Sequence, residues 1–196
     1  MKNIKYFFLI LGVGIMPSCK KILSEDPKGL VANATYYKTT ADAISAINGV
    51  YAATRPDIAN NMDALWISEL ASDDCTTGGT VVGERQEVEA LTYTSGNSYI
   101  QRTWNTAYSV ITRANNVIAF VDSTVIPAAT VRRVNAEARF LRAFYYTRLI
   151  QYYGDVPLVL NPVTSSNLYP ARTKTLDIFN QIIIDLKIAE VNLDNK

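Results

Sequence analysis

The sequence predicts a mostly α-helical protein, a TPR-like stack of antiparallel helices with long irregular loops. Three observations carry that prediction. Apolar residues recur at steps of three and four over 99–121, 128–153 and 175–193, the spacing of a helix face. The second of these segments carries two adjacent apolar stripes, so it packs against neighbours on both sides. Connections bearing Pro127, Pro157, Pro162 and Pro170 separate the helices, as proline cannot continue one. No 34-residue consensus repeats itself, so the likeness to TPR lies in the stacking of helices.

The N-terminus reads as a targeting segment. Lys2 and Lys5 precede an apolar run, YFFLILGVGI over 6–15, too short for the roughly 20 residues of a membrane-spanning helix. A basic flank, a short apolar core and the small residue Ser18 describe a secretory signal. Cys19 directly after it resembles the lipobox of bacterial lipoproteins, in which the peptidase cleaves before a lipid-bearing cysteine. Met16 and Pro17 depart from the usual aliphatic-then-small pair, and a plain signal with an incidental cysteine is the competing reading. The expectation is a signal over 1–18 and lipidation at Cys19. Acylation would use one of the two cysteines, leaving Cys75 without an intrachain disulfide partner and expected as a buried or half-buried thiol.

Residues 19–38 read as an extended arm broken by Pro27 and Gly29, and a helical domain is expected over 39–196. Thr39 and Asp42 have the spacing of a helix cap. Ala43, Ile44, Ile47, Val50 and Tyr51 follow at helical spacing, which predicts a helix over 40–54 closed by Pro56. A short helix is predicted over 62–70. The stretch ASDDCTTGGTVVGERQ beyond it reads as a long loop, with strand pairing near Val81, Val82 and 88–93. From Tyr99 a stripe through Trp104, Tyr108, Ile111, Ala114, Ile118 and Val121 predicts the next helix. The following one, 128–153, carries Val134, Ala138, Leu141, Tyr145, Leu149 and Tyr152 on one face. Ala136, Phe140, Ala143, Thr147 and Ile150 lie on the adjacent face. Gly154 stands where a terminating glycine belongs. Leu176, Phe179, Ile183, Leu186 and Leu193 mark the last helix, 175–193.

Charge and inventory exclude several functions. The chain has 19 basic and 18 acidic residues; without Lys2 and Lys5 the basic count is 17. Such near-neutrality gives no electrostatic footprint for nucleic acid. The absence of histidine and a single spare thiol predict no metal site and no cofactor. An enzyme is not expected, since there is no phosphate-binding glycine loop and no nucleophile with an evident base. Adjacent carboxylates such as Asp73 and Asp74 cannot flank a glycosidic bond from both sides.

The segment AEARFLRAFYYTRLIQYYGDVPLVL, 136–160, resembles the signature of the SusD/RagB family of Bacteroidetes outer-membrane lipoproteins. CKKILSEDP, ADAISAINGVYAA, ELASDD, WNTAYSVITRANNVI and IFNQIIIDLKIAEVNL match in the same order, so the resemblance covers essentially all of the chain after the signal. It implies a surface-exposed, lipid-anchored protein of the outer membrane. Such a protein captures oligosaccharide or polysaccharide as the lid of a SusC-like TonB-dependent transporter. A peptide-capturing RagB-like member is the alternative within the family; a lipoprotein that serves only as a scaffold is the alternative outside it. Family members are longer, which implies that this chain is an N-terminal part. The several apolar faces of 175–193 agree with that expectation, because they exceed what one neighbour covers.

The matched residues have physical readings of their own. Arg132, Arg133, Arg139, Arg142 and Arg148 share a helix with one acid, Glu137. They are expected to be structural: Glu137 pairs with Arg133 one turn earlier, and the other guanidiniums reach carboxylates and carbonyls across the stack. A basic ligand cleft is the competing reading. Gly154, Asp155 and Pro157 read as turn chemistry. Tyr145, Tyr146, Tyr152 and Tyr153 read as core or inter-helix packing, with a sugar platform as the competing role, and Trp104 on its regular apolar stripe reads as core. Sugar recognition needs an aromatic face and planar hydrogen-bonding groups. Trp66, Asp73, Asp74 and Tyr93 supply them around the long loop, where the family places part of its ligand surface.

Overall fold

The computed structural model describes residues 36–56, 63–78, 83–164 and 168–193. The chain divides into Met1–Ala32 and Asn33–Lys196, and all described residues belong to the second unit. The signal, Cys19 and most of the arm lie outside the described residues.

Six helices and one short strand pair make up the described part. Helix α1, Thr40–Ala53, opens on the expected cap. The Thr39 hydroxyl accepts from the Asp42 amide at 3.1 Å, and the Asp42 carboxylate accepts from the Thr39 amide at 2.8 Å. This reciprocal box satisfies two amides that a helix start otherwise leaves open. Helix α2 spans Asp63–Leu70 and α3 spans Glu84–Glu89. The third corrects the strand reading of 88–93: Val88 sits inside α3, fully buried, and a turn follows it. Val81 and Val82 lie outside the described residues. A second correction concerns Cys75, which is exposed, because the backbone around it carries only short polar neighbours.

Helices α4, Ser98–Phe120, and α5, Ala128–Tyr153, form the centre, and α6, Thr175–Asn192, packs on α5. Their side chains fix the orientation. Asn135 donates to the Val121 carbonyl, Arg142 reaches Asn115, and the Tyr153 hydroxyl donates to the Ile100 carbonyl. Position rises along α5 as it falls along α4, so the pair is antiparallel. Asp155 meets Thr175 and Arg142 meets Asp185, which makes α5 and α6 antiparallel too. Strand β1, Val156–Pro157, pairs antiparallel with β2, Arg172–Thr173, and frames the connection between them.

The core follows the two stripes of α5. Val134, Ala138, Leu141, Tyr145, Tyr146 and Leu149 pack with Val110, Ile111, Ala114 and Val117 of α4, Ile47 and Val50 of α1, and Ile178 and Ile182 of α6. Tyr145 and Tyr146 are core residues as expected, whereas Tyr152 and Tyr153 are half-buried. Trp104 is only half-buried, a correction to its reading as plain core: its ring lies at the margin, against Tyr108 and Tyr153. The outer face of α6 leaves Leu176, Phe179, Ile184 and Val191 exposed.

The signature residues are structural ties. Glu137 pairs with Arg133 at 3.3 Å, as the four-residue spacing predicts. Arg142 and Arg139 both bind Asp185. Gly154 closes α5 at φ 66°, ψ −123°, a region essentially reserved for glycine. Asp155 accepts from the Thr175 amide and hydroxyl, both at 2.9 Å, and pairs with Lys174. The Pro157 carbonyl accepts from Tyr108, so Pro157 serves the strand pair and a cross-helix tie as well as the turn.

Candidate functional site

The loop residues singled out for ligand contact gather around α2, α3 and the first turn of α4. Local sequence explains how that corner forms. Asn97 caps α4 by accepting from the Tyr99 amide at 3.1 Å, and its amide group donates to the Glu84 carbonyl and the Glu87 carboxylate. Asparagine suits the position because one planar group caps a helix and still donates twice. Glu84 accepts from the Ser98 amide at 2.8 Å and from the Ser98 hydroxyl. Those two donors, the hydroxyl foremost, hold the Glu84 carboxyl below the usual glutamate range. Helix α3 is thereby stitched to the start of α4 although it is only 6 residues long.

A ladder of alternating rings and cations fills the corner. The Arg85 guanidinium lies 4.3 Å from the centre of the Trp66 ring and 5.8 Å from that of Tyr99. Its Nε donates to the Tyr99 hydroxyl at 2.9 Å. Arg102 lies 4.9 Å from the Tyr99 ring as well. Arg102 also grips the Asp63 carboxylate with two bonds of 2.8 and 3.0 Å, with the acid almost fully buried. Each cation over a ring contributes about 0.5–2 kcal/mol, depending on how far it is desolvated. The planar two-pronged pair fixes α2 against α4. The ladder is a rigid frame with polar edges.

The four expected contact residues are placed unequally on this frame. Trp66 is half-buried, with Arg85 over its ring. Asp73 and Asp74 are exposed just beyond α2, where the Asp74 amide donates to the Ser72 hydroxyl at 3.3 Å. Tyr93 is 38% exposed and stands beyond α3. Among the described residues the cation on Trp66 comes from Arg85, and no described ring contact joins Trp66 to Tyr93. Thr77 is tied back to Glu89 through its amide at 3.1 Å and through its hydroxyl. Those bonds, the hydroxyl's first, keep the Glu89 carboxyl below its ordinary value. The described part of the loop is thus tied to α3 at Thr77 while its acids face solvent.

Sequence reasoning missed Arg85, Tyr99, Arg102 and Asp63. Tyr99 and Arg102 stand three apart at a helix start, a spacing that puts them on one face. The link from Arg102 to Asp63 crosses 39 positions, and no local pattern announces it. Among the described residues no group of three or more acids or thiols could hold a metal ion.

Known proteins share this fold. The SusD-like family model, described as starch-binding associating with outer membrane, matches residues 31–196. A SusD-like protein P2 of Formosa agariphila is 32% identical over 194 residues, covering 97% of this chain and 38% of that protein. A SusD-like protein of Bacteroides ovatus is 36% identical over 104 residues, 47% of this chain and 18% of its own length. Among solved structures, a laminarin-binding SusD-like protein superposes with a TM-score of 0.73 at 25% identity. It covers 80% of this chain, which in turn covers 35% of it. A SusD superfamily protein from Bacteroides vulgatus shares the fold with a TM-score of 0.70 at 22% identity, over 83% of this chain and 36% of its own. The chain therefore spans well under half the length of these relatives.

Proposed function

The chain belongs to the SusD-like family, and on that premise we propose that it captures glycans at the outer membrane. Its partner in this reading is a SusC-like TonB-dependent transporter, for which it serves as the lipoprotein lid, anchored by a lipid on Cys19. The observation that carries the reading is the family match over 31–196, whose description joins starch binding to the outer membrane. The laminarin named for one structural neighbour makes a neutral glucan a reasonable first ligand class.

The corner at α2, α3 and α4 is compatible with this role. A sugar ring offers C–H faces to an aromatic side chain and hydroxyls to carboxylates. Tyr93 and the uncovered part of Trp66 supply the first, and Asp73 and Asp74 the second. The Arg85 and Arg102 ladder holds the frame still, so little order has to be created on binding.

The test uses the full-length protein in its native outer membrane. Radiolabelled fatty acid should partition with the wild type and vanish in Cys19→Ala. Affinity purification in mild detergent should bring down a large β-barrel, and the purified complex should retain glucan on an affinity gel. Label retained in the variant removes the anchor. Consistent absence of a barrel removes the lid.

A further inference from the structure

A cavity lies apart from that corner, between α4 and the connection that follows α5. It measures about 460 Å³ and is lined by Trp104, Tyr108, Thr112, Pro157, Tyr169 and Pro170, among others. That volume falls within the roughly 300–1,000 Å³ of small-molecule sites. Trp104, Tyr108 and Thr112 recur every four positions and form one stripe of α4. The Trp104 ring is braced edge-on by Tyr153 at 5.0 Å and lies 4.9 Å from Tyr108. Tyr169, in contrast, is 96% exposed.

We propose that this groove is a second carbohydrate site, taking one or two neutral pyranose units. The proposal rests on the glycan-capture reading above and adds a separate place for it. None of the residues lining the groove carries a charge, so a uronic acid, a sulfated sugar or a charged peptide would enter without a counter-ion. Aromatic faces suit the C–H side of a sugar ring, and the Thr112 hydroxyl offers a hydrogen-bonding group at the wall.

A peptide strand is disfavoured by what the wall has already committed. Adding a strand requires open backbone donors and acceptors. Here the Pro157 carbonyl accepts from Tyr108, and the Val159 amide and carbonyl are both engaged by the Tyr146 hydroxyl. Asn115 also donates to the Val159 carbonyl, and Arg142 to that of Leu160. Pro157 and Pro170 have no amide hydrogen to give. The wall presents side-chain surface, which a sugar uses and a β-strand does not.

The groove is also angularly separate from the first corner. Tyr99 and Trp104 are five positions apart on α4. At about 100° per residue they point roughly 140° apart around the helix axis. The two places therefore lie on different sides of α4.

The two tryptophans of the chain, Trp66 and Trp104, report the two places separately. Each is read as the emission that its own substitution removes: the Trp104 signal is what Trp104→Phe takes from the full-length protein, and the Trp66 signal is what Trp66→Phe takes. Neutral β-1,3-gluco-oligosaccharides should shift Trp104 emission and protect it from acrylamide. Tyr169→Ala, which alters a side chain almost wholly in solvent, should weaken that response at least fivefold. Several results overturn the proposal. A Trp104 signal that stays flat while Trp66 responds leaves glycan capture standing and removes the groove. A response unaffected by Tyr169→Ala places the contact elsewhere. A shift produced by a tyrosine- and proline-rich peptide, and not by the sugar, makes the groove a peptide site. Silence from both tryptophans, with no heat on calorimetric titration, removes the groove and the glucan reading together.

Discussion

Arg142 on α5 and Asp185 on α6 meet as a two-pronged ion pair, Nε to Oδ2 and Nη2 to Oδ1, each at 2.8 Å, with side chains 3% and 1% exposed. Arg139 adds a bond of 2.9 Å to the same carboxylate. The remaining Arg142 nitrogen donates to Asn115 on α4 and to the Leu160 carbonyl. One guanidinium therefore joins three helices and the connection that follows α5. Planarity is what allows this: a fork can grip an acid in two places and still donate from its other side.

Removing the acid should be severe. Asp185→Ala leaves a buried guanidinium without its carboxylate, which costs about 3–5 kcal/mol. Arg142→Lys should recover little, because an ammonium cannot make the fork. Urea unfolding of the full-length protein measures both. A loss below about 1 kcal/mol for Asp185→Ala would mean that the pair does not hold the stack.

Much of the stack was legible in the sequence, and the reason is periodicity. Helices α4, α5 and α6 each repeat their apolar residues over several turns, so each announces its length and its buried face. The Thr39–Asp42 box and the Arg133–Glu137 pair were legible because their partners stand within one turn. Asp185 as the shared partner of Arg139 and Arg142 was not, since it lies 43 positions from Arg142. Helix α3 was hidden for a different reason. Six residues make fewer than two turns, too short for a period, and its formation depends on Glu84 and Glu87 bonding Asn97 and Ser98. Exposure of Cys75 and the half-burial of Trp104 are likewise set by what lies opposite them in space. Of the candidate corner, the exposed Asp73, Asp74 and Tyr93 could be named by residue type. The Arg85–Tyr99–Arg102 frame behind them depends on packing.

The loop carboxylates separate recognition from folding. Asp73 and Asp74 are exposed, so replacing both with Ala should change stability by no more than about 0.5 kcal/mol each. Glucan affinity should fall if they bind hydroxyls. Trp66→Ala should lower both affinity and stability, because it also strips Arg85 of its ring. Paired calorimetric melts and glycan titrations distinguish these outcomes. Unchanged affinity in the double Asp variant would remove the acids from the ligand surface.

Acid should loosen the junction between the end of α5 and α6. Asp155 is held down to about 2 by its bonds to Lys174 and to the Thr175 amide and hydroxyl, against an ordinary value of 3.8. A carboxyl whose value is depressed in the folded state adds stability that is fully present above the unfolded value. That stability drains away as pH falls from about 4 towards 2. Asp155→Asn should therefore melt below the wild type at pH 7, and the two should converge near pH 2. Melting curves taken between pH 2 and 7 test this. A constant gap across that range would show that the carboxylate charge is not what matters there.

Two glycines should respond to alanine with opposite signs. Gly49 lies inside α1, and a Cβ there would sit 3.8 Å from Arg113 Nη1, ordinary contact that needs no movement. Alanine is favoured over glycine within a helix by up to about 1 kcal/mol, so Gly49→Ala should raise the melting temperature. Gly154 has more room still, with nothing within 4 Å of a built Cβ. Space does not decide its fate, because its backbone sits at φ 66°, ψ −123°, where a side chain clashes with its own chain. Strain of this kind costs on the order of 1–3 kcal/mol. The alternative is for the turn to relax, which would pull Asp155 away from Thr175 and shift β1 against β2. Gly154→Ala should thus lower the melting temperature and flatten the Asp155-dependent slope between pH 4 and 2. A variant as stable as the wild type with that slope intact would show that the turn does not need glycine.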